Sequence, residues 1–224
     1  MRRRARRAQN RVNHITPRGQ SMSMSHAFTR RLAVSAIAVL LGACSTTASV
    51  RHIEKPQEPL KIEGLHVAFL QPTFRFDTTD PRFSNARVDE QLDELRQAVL
   101  EHVPAGMAPA GIETRARSFA LDEDGRPPTT LNTWLKTEQK TNWHLLTVVP
   151  SGAHVNCSGG ICNLKTNVML EIRAPYSMSR RWAVELTESA MTSDLSMSTQ
   201  GASNHYAREM VKALLADVRG PKSP

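Results

Sequence analysis

The amino-acid sequence predicts an α+β fold: a mostly antiparallel sheet of about five strands, in the order β-α-β-(α)-β-β-β-α, with helices packed on one face. Three observations predict it. Leu164, Thr166, Val168, Leu170, Ile172 and Ala174 alternate strictly with Lys165, Asn167, Met169, Glu171 and Arg173, the period of a strand with one buried face. Trp182, Val184 and Leu186 repeat the alternation after a break at Pro175 to Ser179, and together with Trp143 to Val155 they make three consecutive strands of a meander. Two other segments keep the spacing of a helix, Val88, Leu92, Leu95 and Val99 in one and Ala207, Met210, Val211, Leu214 and Val218 in the other.

The remaining elements follow from local chemistry. His66 to Leu70 is a short apolar strand ended by Pro72, and Asp77-Thr78-Thr79-Asp80-Pro81 is a polar loop. The first helix has Asn85 as its cap and Pro104 as its stop, with Asp89, Glu90, Asp93 and Glu94 near its positive end. Ile112 to Leu121 is a weaker strand, closed by the turn Asp122-Glu123-Asp124-Gly125-Arg126-Pro127-Pro128. That turn has the acids of a calcium loop but not the later glutamate that would complete one. Thr130 to Lys140 forms a short helix that presents Leu131, Trp134 and Leu135 to the core. The last helix starts near Ser203 and ends at Gly220-Pro221.

Charge is unevenly spread over the 224 residues, of which 29 are Lys or Arg and 21 Asp or Glu. Residues 1 to 43 hold nine Arg, no Lys and no acid, so the rest of the chain carries 20 basic against 21 acidic residues. A phosphate-binding groove needs a surplus of Lys and Arg on the folded part. Nucleic acid is therefore not an expected partner.

Arg30 and Arg31 precede twelve residues, Leu32 to Ala43, that are apolar apart from Ser35 and Gly42 and run directly into Cys44. A spanning helix needs about 20 apolar residues, so this stretch is a cleaved targeting segment. Leu41-Gly42-Ala43-Cys44 resembles the lipobox of bacterial lipoproteins. The resemblance implies that Cys44 takes acyl chains, palmitate among them, and becomes the new N-terminus. With Ser45 following, it implies sorting to the outer membrane, lipid-anchored and facing the periplasm. One acyl chain holds a protein only reversibly, while two or three hold it firmly, at about 0.8 kcal/mol per buried methylene. Residues 1 to 21, with seven Arg and no apolar period, read as a misassigned start ahead of a signal peptide over 22–43. Residues 44–62, polar and holding Pro56 and Pro59, read as the lipidated end and a flexible tether. A single periplasmic domain then spans 63–219, with 220–224 a tail.

Cys157-Ser158-Gly159-Gly160-Ile161-Cys162 lies between two strands. If the glycines make a two-residue turn, Ser158 faces Ile161, Cys157 faces Cys162, Val155 faces Leu164 and Val149 faces Leu170. Pro150 and Gly152 are places for a bulge that would shift the far end. Opposed cysteines have Cα atoms about 4.5 Å apart, within reach of a disulfide in an oxidising compartment. A redox pair at a helix start and a zinc site recruiting His154 fit the four-residue spacing less well.

No phosphate loop, His-Glu-x-x-His helix, nucleophile elbow or Ser-x-x-Lys motif occurs, and the six histidines beyond Cys44 are scattered. The expectation is a non-enzymatic lipoprotein with no cofactor and no metal site beyond the lipid on Cys44, acting as an adaptor or accessory subunit in envelope assembly or export. The order of elements resembles that of small outer-membrane lipoproteins that activate peptidoglycan synthases, plug a lipopolysaccharide-inserting barrel or serve export systems. An envelope protein would be the partner, met by the polar strand face of Lys165, Asn167, Glu171 and Arg173 or by the loop from Arg75 to Arg87. The alternative is an envelope hydrolase or small-ligand-binding lipoprotein whose site leaves no sequence motif.

Overall fold

The computed structural model describes residues 46–73, 85–138, 140–158, 161–192 and 200–221. The leader, Cys44 and most of the loop from Arg75 to Arg87 lie outside the described residues. The elements are β1 (Thr46–Glu54), β2 (Leu60–Lys61), β3 (Gly64–Gln71), α1 (Asn85–Met107), β4 (Glu113–Ala120), α2 (Thr129–Thr137), β5 (His144–Ser158), β6 (Ile161–Arg173), β7 (Arg180–Thr192), α3 (Gln200–Asp217) and β8 (Val218–Arg219). Six strands form one sheet in the order β1-β7-β6-β5-β3-β4, and β2 pairs with β8 in a separate two-residue ladder. The meander β5-β6-β7 and the edge strand β1 are antiparallel, whereas β3 runs parallel to both β4 and β5. The fold is α+β with a mostly antiparallel sheet.

The two long helices cover one face. Leu65, Val67 and Phe69 of β3, Leu146 and Val148 of β5, Val168, Leu170 and Ile172 of β6, and Trp182, Val184 and Leu186 of β7 all point to it. They meet Leu95, Val99, Val103 and Met107 of α1 and Tyr206, Ala207, Met210 and Leu214 of α3. α1 and α3 lie so close that a Cβ on Gly106 would stand 2.6 Å from a methyl of Val211. The short helix α2 is on the opposite face, where Leu131 and Trp134 pack on Ala68, Leu70, Phe119 and Leu145. β3 is therefore covered on both sides, and its run of buried residues is what a central parallel strand requires.

Four expectations change. Residues 46–54, expected within a flexible tether, pair along most of β7, from Thr46 opposite Ala190 to Glu54 opposite Ala183. The strand was hidden because Val50 and Ile53 stay 41% and 42% exposed, so it has no buried apolar face to mark it. Pro104 does not stop α1 but lies inside it. Its fixed φ suits a helix, and the fully buried Val103 and Met107 hold the final turn despite the missing N–H. Val218 leaves α3 to enter β8, where it stays buried. A bulge between Pro150 and Gly152 sets Val148, not Val149, opposite Leu170. The near end of that hairpin has the expected register, with Val155 opposite Leu164, Cys157 opposite Cys162 and Ser158 opposite Ile161.

Candidate groove on the open sheet face

Odd-numbered residues of β6 point to the face opposite the two long helices, and α2 covers only part of it. Beside α2 a cavity of about 740 Å³ opens between Leu131 and Asn132 of α2, the Leu121–Pro127 turn, and Thr147, Val149, Met169, Glu171 and Arg173 of the sheet. A neighbouring cavity of about 430 Å³ is lined by His66, Lys136, Lys140, Trp143 and Tyr176. Asn132, Leu145 and Met178 border both, so the two are halves of one groove.

Glu171 and Arg173 form the polar wall. Arg173 Nη2 donates to Glu171 Oε2 at 2.6 Å, and its Nη1 donates to the Met178 carbonyl at 3.3 Å. Arg180 joins Glu171 Oε1 at 3.5 Å to Glu54 Oε2 at 2.6 Å, which ties the wall to β1. The mouth is shaped by the turn between β6 and β7. Tyr176 has φ of 62° and Met178 of 54°, both left-handed without being glycine. Each costs about 1–2 kcal/mol of backbone energy. The turn is held by Ala174 N–H donating to the Ser179 carbonyl at 2.8 Å and Met178 N–H donating to the Ala174 carbonyl at 3.2 Å. Tyr176 is 79% exposed at its tip.

The other half of the groove has an aromatic floor. His66 is buried between Trp134 and Trp143, with ring centroids 5.2 and 5.1 Å away. Its Nε2 donates to the Lys140 carbonyl at 3.4 Å, while Nδ1 has no hydrogen-bond partner among the described residues. Burial lowers the pKa of His66, so the ring is neutral near pH 7. Lys140 Nζ lies 5.2 Å from the Trp143 ring centre, a cation over an aromatic face.

Of the four residues expected to meet a partner, Glu171 and Arg173 come together in the groove wall. Lys165 is exposed farther along the same face, and Asn167 Oδ1 accepts a hydrogen bond from Thr187 Oγ1 at 2.9 Å. Tyr176, Met178, His66 and Trp143 were missed as site residues. The only signal was the break at Pro175 to Ser179, which marks a turn but not its handedness.

Two polar clusters lie elsewhere. Asp217 Oδ2 accepts from Trp182 Nε1 and His52 Nε2, each at 2.9 Å, and Oδ1 lies 3.6 Å from Lys55 Nζ. Burial alone would raise its pKa, yet these hydrogen bonds and the Lys55 charge bring it below the usual carboxylate value. The pair of His52 and Asp217 clasps β1 to the end of α3. Glu188 is buried on the helix-covered face, with Oε1 unpartnered among the described residues. Burial first, then the nearby Glu209 charge, pushes its pKa up to about 7. No group of three or more His, Cys, Asp or Glu among the described residues is placed to hold a metal ion.

Sheet, helices and groove define an α+β domain with two helices behind a six-stranded sheet and an open, largely apolar pocket in front. No family model and no curated protein matches the chain. Among solved structures it is similar to the PelC dodecamer from Paraburkholderia phytofirmans, with a TM-score of 0.46 and 10% identity over 77% of this chain and 99% of that chain. It is also similar to lipoprotein GNA1162 from Neisseria meningitidis, with a TM-score of 0.37 and 10% identity over 68% and 98% of the two chains. Protein XCC0632 from Xanthomonas campestris gives a TM-score of 0.36 and 11% identity over 75% and 88%.

Proposed function

We propose that this chain is a lipid-anchored periplasmic protein that recruits an envelope protein through the groove on its open sheet face, as an adaptor or accessory subunit of envelope assembly or export. The single observation that carries the reading is the turn at Ala174 to Ser179. Two non-glycine residues are held in left-handed backbone there, and they place Tyr176 and Met178 at the mouth of the groove. Strain of this kind persists where surrounding structure over-determines it, and it concentrates at binding sites. An exposed aromatic ring beside an apolar pocket with a paired acid and base is the composition of a protein-binding hot spot.

The anchor comes from the lipobox at Leu41 to Cys44, and sorting to the outer membrane from Ser45. Cys157 and Cys162, opposed in register, are proposed to form a disulfide. The second reading, a small-ligand site, is favoured by one observation, the Nδ1 of His66, beside Trp143 and without a hydrogen-bond partner among the described residues.

The test is photo-cross-linking in living cells from position 178, followed by purification of the membrane-anchored form. One dominant envelope protein, lost in a Cys44→Ala control, is the expected result. No enriched protein from position 178 would overturn the adaptor reading and turn attention to small molecules at His66.

A further inference from the structure

We infer that the half of the groove around His66 is a binding site for a carboxylate carried on an apolar chain, with the anion held by Lys136, Lys140 and the imidazole, and the chain running past Leu145 and Met178 into the larger cavity. The inference rests on the second reading above, a small-ligand site at His66, and names the class of ligand.

The wall of this half holds His66, Lys136 and Lys140 and no Asp or Glu. Four buried side-chain atoms have no hydrogen-bond partner among the described residues, and of these only His66 Nδ1 belongs to a residue lining either cavity. Buried polar atoms are nearly always partnered, so one left bare in a cavity wall marks a place for a ligand atom. The surrounding charges favour a single negative one. Beside His66 on α2 and the segment after it are Lys136, Glu138 and Lys140. On β4, Arg115 stands in register with His66 and pairs with Glu113 at 3.6 Å, and on β5 the register partner is the uncharged Leu145. Three cations against two carboxylates leave a surplus of one, which a monoanion would neutralise. The larger cavity supplies the opposite environment. Leu70, Leu131, Val149 and Met169 line it, and its charged residues Glu171 and Arg173 are closed on each other at 2.6 Å. Leu145 and Met178 border both halves, so a chain laid over them joins the two environments. Volumes of about 430 and 740 Å³ fall within the range of about 300 to 1,000 Å³ that small-molecule sites occupy.

His66 gives the site a proton to move. Without ligand, burial keeps the ring neutral, with Nε2–H donating to the Lys140 carbonyl and Nδ1 bare. An arriving carboxylate brings the negative charge that favours the imidazolium. Nδ1 then takes a proton from solvent and donates it in a hydrogen bond to the anion, while Nε2–H keeps the Lys140 carbonyl. The bound state holds one proton more than the free state, so affinity rises as the pH falls.

The test compares octanoate with octanamide and octylammonium, which share its chain and differ at the head. It uses the full chain carrying Cys44→Ser, so that no acyl group competes with the probes. By calorimetry at about pH 6, octanoate is expected to bind about tenfold more tightly than either analogue, and several-fold more weakly at about pH 8. Lys136→Gln combined with Lys140→Gln changes exposed side chains, leaves the Lys140 carbonyl in place and is expected to remove the preference. Equal affinity for the three probes, or preference for another head, would overturn the carboxylate and leave a small-ligand site standing. Binding of none of them would overturn both. A second readout needs no substitution in the groove: with isotope-labelled histidine, the His66 Nδ1 resonance is expected to move from the bare to the protonated position when octanoate is added. An Nδ1 resonance that stays put with octanoate bound would place the anion elsewhere and overturn the site.

Discussion

At Glu188 a buried carboxyl group has one oxygen unpartnered among the described residues, and a proton on the group is the cheapest way to satisfy it. Its pKa is raised from 4.5 to about 7, so the folded state binds a proton that the unfolded chain has released across that range. Stability from this group is fully present below about pH 4.5 and is lost as the pH climbs through 7, a swing of about 3 kcal/mol. Glu188→Gln is expected to abolish this slope and to be more stable than the parent at pH 8, measured by urea denaturation at several pH values. A parent whose midpoint is flat from pH 5 to 8 would contradict the assignment. Tyr176 offers a different trade. Asn tolerates the left-handed region, so Tyr176→Asn is expected to raise stability by up to about 1 kcal/mol while cross-linking from position 178 falls sharply. A variant that keeps full capture would show that the strain serves no partner. Asp217 illustrates the reverse case: Asp217→Ala leaves the fully buried Trp182 N–H without its acceptor and is expected to cost about 1–3 kcal/mol in thermal or urea unfolding.

The helix pair makes the element-scale argument. α1 and α3 cross where Gly106 meets Val211, and even one methyl at 106 would overlap a side chain of the facing helix. Gly106→Ala is expected to destabilise the domain by about 1–3 kcal/mol, and Val211→Ala in the same chain to recover part of the loss because room is made on the other side. Independent addition of the two costs would place the crossing elsewhere. The β5–β6 hairpin makes a second prediction: thiol titration without reductant is expected to find Cys157 and Cys162 both blocked, and two free thiols there would remove the disulfide. Most of these elements were legible. Strict alternation marks β6 and β7 because one face is buried and the other is not, and the helical stripes mark α1 and α3 for the same reason. β1 was not legible, since it is held by backbone pairing, by Arg51 bonding Glu185 and by the clasp at Asp217, none of which leaves a period. Pro104 misled because its local preference lost to the burial of Val103 and Met107 on either side of it.

Across the whole molecule the two faces of the sheet divide the labour. One is sealed by α1 and α3 and supplies the core; the other is half covered by α2 and supplies the groove. The fold class and the open side of the sheet were readable from the two halves of β6, whereas the groove was not. It needs α2 on the far face, and the nine residues of α2 do not say which face they will choose. It needs the turn at Tyr176 as well, whose handedness is a property of backbone and not of composition. The lipobox reading at Leu41 to Cys44 stands on sequence alone, because such a motif is read by an enzyme from the unfolded chain and lies outside the described residues.

The pairing of β1 with β7 has a consequence in time. β1 is the first strand of the domain in the chain, yet its neighbour in the sheet is completed only at Ala190, more than 130 residues later. Contacts so distant in sequence form late, since a long loop must close before any of them is made. Until β7 is complete, Thr46 to Glu54 has nothing to pair with, and the sheet stands with an open edge at β7. On the lipidation proposed above, the segment that follows Cys44 is without its strand partner during the interval in which a modifying enzyme must find it. Covering the β7 edge and fixing the start of β1 in place are then a single event.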